Sequence, residues 1–392
     1  MTGGVLSSVI PRLVQARDAM RALSIDALVV SHLPNVRYLT GFSGTAGLVV
    51  LTSTHATLIV DFRYATAARA LLAAQPETAS ALALVIASRS YDETLVTVLR
   101  DTQARRIGIE GAYMPVSRFN RLSSSLAALA PTPLQSPDSC PVLVATERVV
   151  EAARMVKDDS EVEVLRRAGR RIAAASRQAL TFVRPGRTEL DVASDVDALL
   201  RTAGFERPAF ETIVASGPNS ALPHARPTAR MLQEGDGVVL DFGGVYDGYC
   251  VDLTRTVQLG DAGAEFRRLF AAVAEAQQAA IAAVRPGVLA SSVDHAARAA
   301  LGRYGLEEAF GHGTGHGLGL EVHEEPRVSR ITAGQPDVPL APGMVFTIEP
   351  GAYVEGVGGV RIEDDVLVTA DGCEVLTADR VQDTGRDRLS GG

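Results

Sequence analysis

The sequence predicts an α/β domain followed by a larger α+β domain built from two similar halves. Two observations carry this. Over residues 1–150 short apolar runs alternate with helical patterns, as strands laid against helices do. Over residues 151–392 one order of motifs occurs twice, about a hundred residues apart, as in a duplicated unit with a pseudo-twofold axis.

In the first domain Ala27–Val30, Leu48–Leu51, Thr57–Val60, Leu82–Ala87 and Arg106–Ile109 read as strands. Tyr64–Ala74, Tyr91–Arg100 and Val116–Leu129 read as helices. Pro131, Pro133, Pro137 and Pro141 mark irregular chain before a last strand, Val142–Ala145. A polar junction places the domain boundary near residue 150. A long helix then opens near Asp159–Ser160, with Glu163 placed to close a capping box.

The repeat of the second domain starts with Arg184-Pro185-Gly186 before a helix running to Gly204, matched by Arg285-Pro286-Gly287 before a helix running to Gly305. Phe210 matches Phe310. His224 is followed by Pro227 and His323 by Pro326. Leu232 to Gly235 opens a strand ending at Asp241, and Leu340 to Gly343 opens one ending at Glu349. Such symmetry brings equivalent acidic strands face to face.

Val238 to Thr256 reads as a hairpin turning at Asp247-Gly248, which sets Asp241 and Asp252 on one sheet face, opposite or diagonal. Val345–Glu349 with Val360–Glu363 reads as its counterpart, turning through Gly356 to Gly359. These four acids lie in strands of Val, Leu, Ile and Phe and are expected to be buried. Like charges about 4 Å apart repel by roughly 4 kcal/mol at an effective dielectric near 20, so a converging set needs cations. Carboxylates with one imidazole suit Mn²⁺, Co²⁺, Fe²⁺ or Zn²⁺. Taken singly, each acid could instead cap a turn or pair with Arg255 or Arg361.

Three of the seven histidines fall in Phe310 to Pro326, as His312, His316 and His323, among glycines that allow close approach of backbone to a ligand. Their spacing excludes a zinc helix of the HExxH kind. His224 and His323, at equivalent places in the repeat, suggest paired roles on either side of a substrate. His32, His55 and His295 are given no role. The cysteines Cys140, Cys250 and Cys373 are odd in number and unpaired in sequence, which argues against a disulfide framework and fits a reducing cytoplasm. Cys250 shares the face of Asp252 by parity and is read as packing.

The net charge of −8 disfavours a nucleic-acid partner, and paired arginines such as Arg166-Arg167 and Arg170-Arg171 are spaced as a solvated helix face. Met1 to Met20 lacks the pattern of a signal peptide, and no apolar run reaches the roughly 18 residues of a membrane span.

Together these residues resemble the pita-bread metallopeptidases, a group that includes methionine aminopeptidase, prolidase and aminopeptidase P. Residues from about 155 to 380 resemble the catalytic domain. Residues 1 to about 150, with Asn35-Val-Arg-Tyr38 to Gly41 and Asp61-Phe-Arg63-Tyr64, resemble the creatinase-like N-terminal domain and favour the Xaa-Pro branch. The resemblance implies two divalent metal ions, Mn²⁺ foremost with Co²⁺, Zn²⁺ or Fe²⁺ as alternatives, on Asp241, Asp252, His316, Glu349 and Glu363. It implies Glu349 as proton carrier, and His224 and His323 as holders of the substrate and its tetrahedral intermediate. His312 and Arg361 would line the pocket. Short peptides with proline second would be the substrates, and a homodimer the assembly. A cationic group behind proline, from His312, Arg226 or Arg361, would make a dipeptidase rather than an aminopeptidase.

Two rival readings are a different enzyme on this scaffold, such as a metal-dependent lyase, and a non-catalytic binding module. Metal-free amidinohydrolases and binding modules need not keep five ligands. All five positions here carry ligand-type residues.

Overall fold

The structure is a computed structural model that describes residues 9–128, 141–332 and 336–378. Cys140, Leu129 and the prolines at 131, 133 and 137 lie outside the described residues. The chain divides into two compact units at Arg154/Met155.

The first unit runs α1 (Val9–Ala22), β1 (Ala27–Val30), α2 (Leu33–Thr40), β2 (Leu48–Thr52), β3 (Ala56–Asp61), α3 (Ala65–Ala74), α4 (Pro76–Ala81), β4 (Ala83–Ala87), α5 (Tyr91–Thr102), β5 (Arg106–Glu110), α6 (Val116–Ala128), β6 (Val142–Thr146) and α7 (Glu151–Arg154). Its six-stranded sheet has the order β4-β3-β2-β1-β5-β6. β1, β2 and β3 form an antiparallel meander, and β4, β5 and β6 join parallel to their neighbours. Val29, Val50, Ile59 and Ile107 pack against Leu95, Leu99, Leu122 and Leu126 of α5 and α6. Four helices, α1, α2, α4 and α7, go beyond the elements read from sequence. α2 has no local cap: the Glu110 carboxylate accepts from Ser31 N (2.6 Å) and His32 N (2.7 Å) at its start. A cap delivered from a strand 78 residues away leaves no local signal.

The second unit opens with α8 (Asp159–Leu180) and α9 (Glu189–Thr202), then β7 (Arg207–Pro208), β8 (Ile213–Ser216), β9 (Gly237–Tyr246) and β10 (Tyr249–Gln258). The second half has α10 (Gly263–Ala283), α11 (Ala290–Arg303), β11 (Gly315–Gly317), β12 (Glu324–Val328), β13 (Val345–Ile348), β14 (Gly351–Val354), β15 (Gly358–Arg361), β16 (Asp364–Val368) and β17 (Cys373–Val375). One sheet is β10-β9-β7 with β8 also on β9; a second is β12-β11-β13-β16-β17; β14 and β15 form a ribbon.

The repeat is visible in backbone hydrogen bonds. Gly186 N donates to Leu232 O (2.9 Å) and Gly287 N to Leu340 O (2.7 Å). Both glycines have positive φ, 84° and 82°, which only glycine adopts at low cost. The halves meet where Glu363 N donates to Thr254 O (3.1 Å) and Thr256 Oγ1 to Arg361 O (2.8 Å).

Three sequence expectations are corrected here. The capping box of α8 uses Asp158 and Glu161 rather than Glu163, because the N-cap lies two residues before Ser160; Glu163 instead reaches Arg170 (3.6 Å). β9 continues through Asp241 to Tyr246, since β10 pairs with it over ten residues. β13 pairs with β16, not with Val360–Glu363. Pro350 follows Glu349 and has no N–H, so the ladder breaks there and resumes in the same register as the β14–β15 ribbon, with Ile362 N donating to Pro350 O (3.4 Å) and Val360 and Arg361 paired with β14. Among the described residues no helix is long and apolar enough to cross a membrane.

Candidate active site

The register of β9 and β10 pairs Asp241 with Thr254 and Asp252 with Gly243, so the two aspartates are diagonal neighbours on one face. Glu349 follows β13, and its N–H donates to Thr314 O (2.7 Å). Glu363 sits at the break between β15 and β16. His316 lies on β11 between two glycines for which no side chain fits. A Cβ on Gly315 would stand 1.8 Å from Thr347 O, and one on Gly317 2.1 Å from Glu325 O.

Asp252, His316 and Glu363 each present a ligand atom within 4.8 Å of the others. His316 Nε2 is 3.3 Å from Glu349 Oε1 and 3.9 Å from Asp252 Oδ2. Its Nδ1 lies 3.1 Å from Gly317 O, which assigns the proton to Nδ1 and leaves the Nε2 lone pair facing the acids. Burial first, then His323, holds the His316 imidazole down at about 4. Thr254 Oγ1 donates to Glu363 Oε2 (2.6 Å), and Thr347 Oγ1 to Glu349 Oε1 (3.2 Å).

The acids are strongly perturbed. Burial pushes Glu349 up to about 8, with Asp241 adding to it and Arg361 opposing. Asp252 and Glu363 are raised by burial and then by the other acids of the group. Asp241 pairs with Arg361, which also reaches Tyr353 Oη (2.6 Å), Thr254 Oγ1 (3.2 Å) and Pro223 O (3.2 Å). One guanidinium against four carboxylates leaves the group short of positive charge. Asp241 Oδ1 and Asp252 Oδ1 are buried without a hydrogen-bond partner. Unpaired buried oxygens beside a neutral imidazole fit divalent cations held by hard ligands.

The other expected residues fall around this group. The rings of His316 and His323 are 4.4 Å apart. His312 Nε2 is 3.1 Å from Tyr353 Oη, its ring stands edge-on to Phe310 at 4.9 Å, and burial holds it down at about 4. His224 is exposed, and its charge bears on both His312 and His323. Arg226 is largely exposed and pairs with Glu211 at 3.4 Å. Cys250 is buried, its thiol pushed up to about 12 chiefly by desolvation, which suits packing.

Several groups that build the site were not singled out from sequence. Tyr353 bridges His312 and Arg361. Asp365 accepts from Asp252 N (3.1 Å). Asp294 and Arg298 of α11 hold the loop carrying His312. Lys157 forms a buried ion pair with Glu324, next to His323, at 3.4 Å. Lys157 had a usable signal: it is the single lysine among 38 basic residues. The others act across the fold, and spacing alone could not place them.

Residues 163–370 match metallopeptidase family M24, and residues 12–156 match the creatinase/prolidase N-terminal domain. The chain belongs to metallopeptidase family M24. It is 34% identical over 358 residues to the Xaa-Pro dipeptidase of Pyrococcus furiosus, covering 90% of this chain and 94% of that one. Among solved structures, the Xaa-Pro dipeptidase from Bacillus anthracis superposes with a TM-score of 0.86 at 32% identity, covering 95% of this chain and 98% of that chain. The X-Pro aminopeptidase from Thermotoga maritima gives 0.79 at 33% identity, covering 92% and 98%. The fold is therefore a creatinase-type N-terminal domain followed by the pita-bread catalytic domain.

Proposed function

We propose that this chain hydrolyses the peptide bond between an N-terminal residue and proline, using two divalent cations held by Asp241, Asp252, His316, Glu349 and Glu363. The observation that carries the reading is a buried acidic group with two partnerless carboxylate oxygens, Asp241 Oδ1 and Asp252 Oδ1, and the His316 imidazole within 4 Å of Asp252 and Glu349. The relatives named Xaa-Pro dipeptidase support a dipeptide as the substrate. Mn²⁺ is the ion expected to load first, and a cytoplasmic homodimer is the working form.

The cations supply Lewis acidity and bring the pKa of water from about 15.7 toward 7. Glu349 carries a proton on a carboxylate oxygen from the attacking water toward the prolyl nitrogen, which leaves as an amine. Thr347 Oγ1 and the Thr314 carbonyl fix its direction. His323, with His224 across from it, donates an imidazole N–H to the oxygen of the scissile carbonyl as charge develops there. Arg361 and Tyr353 hold Asp241 in place. An Xaa-Pro bond has no N–H to recognise, so the wall of Phe310, His312 and Tyr353 reads the ring by shape.

Chelator is expected to abolish cleavage of an Xaa-Pro dipeptide, and Mn²⁺ or Co²⁺ to restore it. Glu349→Ala is expected to lose turnover by orders of magnitude while remaining folded. A purified sample that contains no cation and takes up none on titration defeats the proposal. Faster turnover of an Xaa-Pro-Yaa tripeptide than of the dipeptide would redirect it to an aminopeptidase.

A further inference from the structure

Each half of the catalytic unit has one fully buried carboxylate on the helix that follows its Arg-Pro-Gly turn. In the first half it is Glu189 of α9, 0% exposed. Its Oε1 accepts from Ser216 N (2.7 Å), Ser216 Oγ (2.7 Å) and Asn219 Nδ2 (3.1 Å). Its Oε2 accepts from Thr228 N (3.0 Å), Thr228 Oγ1 (2.6 Å) and Asn219 Nδ2 (3.1 Å). Ser216 ends β8 and Thr228 lies four residues past His224 in the chain leading to β9, so the two flank that histidine. One side chain therefore ties the chain on both sides of His224 to a helix.

In the second half it is Asp294 of α11, 1% exposed. Asp294 Oδ1 accepts from Thr314 N (3.1 Å) and Thr314 Oγ1 (2.9 Å). It also pairs with Arg298 one turn on (2.7 Å), and Arg298 donates to Phe310 O (2.9 Å) and His312 O (2.5 Å). The chain from Phe310 to Thr314, with His312 inside it, is thus pinned at both ends. The two acids do not occupy equivalent positions in the repeat: Glu189 follows the turn glycine by three residues and Asp294 by seven. Two different positions meeting the same need point to the loop rather than to the helix as the thing being held.

We infer that Glu189 and Asp294 are positioning residues, Glu189 for His224 and Asp294 for His312. The inference rests on the proposed peptidase reading for its kinetic form. A carboxylate accepting four to six N–H and O–H donors cannot be replaced by an amide without turning one NH₂ onto those donors. Glu189→Gln and Asp294→Asn therefore loosen the loops while preserving volume.

The test is a crossed set of double-mutant cycles on the metal-loaded full-length protein with an Xaa-Pro dipeptide. Glu189→Gln is expected to lower kcat/KM about tenfold, to have little further effect in a His224→Ala background, and to keep its full effect in His312→Ala. Asp294→Asn is expected to show the reverse pattern. Coupling of either acid to both histidines equally, or to neither, overturns the inference, because a general loss of packing has no preferred partner. If the loaded wild type cleaves no Xaa-Pro peptide, the peptidase reading falls separately. The positioning roles are then read from imidazole ¹⁵N spectra. Glu189→Gln must move the His224 signals and leave those of His312, and unchanged His224 signals overturn the inference.

Discussion

Raising the pH of the metal-free protein from 6.5 to 8 is expected to destabilise its catalytic unit. The carboxyl of Glu349 is pushed up to about 8 from 4.5, chiefly by burial. The folded state thus keeps a proton that the unfolded chain has already released, and the stability this provides is lost as pH rises toward 8. His312 and His316 act in the opposite sense. Both are held down at about 4 from 6.5, so their contribution grows with pH and levels off only about one unit above 6.5, once the unfolded imidazoles have lost their protons. His323, also lowered by burial, acts in the same sense. The difference between wild type and Glu349→Gln cancels the imidazoles and isolates the acid. One retained proton gives a slope of about 1.4 kcal/mol per pH unit, so Glu349 alone removes at most about 2 kcal/mol over the interval. Its side chain is 17% exposed, and solvent screening lowers that figure. Asp252 and Glu363, raised for the same reason, act in the same direction. The chain has no Trp, so urea unfolding is followed by far-UV circular dichroism. Chelated wild type is expected to lose stability over the interval, Glu349→Gln to lose less, and Mn²⁺-loaded protein to stay level as cations take the place of protons. An identical slope for chelated wild type and Glu349→Gln, or a slope unchanged by Mn²⁺, would refute the argument.

Lys157→Met is expected to destabilise the protein by at most about 3–5 kcal/mol, because it removes the ammonium facing the Glu324 carboxylate, which is 6% exposed and keeps the hydrogen bond from Glu321 N (3.0 Å). The double variant Lys157→Met/Glu324→Leu should regain much of that loss in urea midpoint, and failure to regain any would mean the pair does not act as a unit. Gly315→Ala places a Cβ 1.8 Å from the Thr347 carbonyl and must push β11 off β13. Mn²⁺ uptake measured by metal analysis should fall far more than helix content by circular dichroism. Normal uptake would show that the His316 strand tolerates displacement.

The local signals worked where local chemistry decides the outcome. β1 spans Ala27–Val30 as its run of β-branched and apolar residues indicates, and Asp247-Gly248 turns the β9–β10 hairpin with both residues at positive φ. Signals failed where the deciding group is distant in sequence. The start of α2 depends on Glu110, and the end of β13 on what Pro350 denies the ladder. Parity correctly put Asp241 and Asp252 on one face, but it could not say that Arg361 would lie across Asp241 or that Tyr353 would link Arg361 to His312.

Sequence by itself determined the two-domain class, the duplication within the second domain and the cluster of acids and histidines that the second domain carries, because alternation, turn residues and repeated spacing are local properties of a chain. Only the tertiary structure decided which of those side chains meet, which carboxylate oxygens are left without partners, and which buried acids tie down the histidine loops. Those outcomes depend on burial and on hydrogen bonds between residues tens to hundreds of positions apart, and no pattern along the chain encodes the distance between two such groups in space.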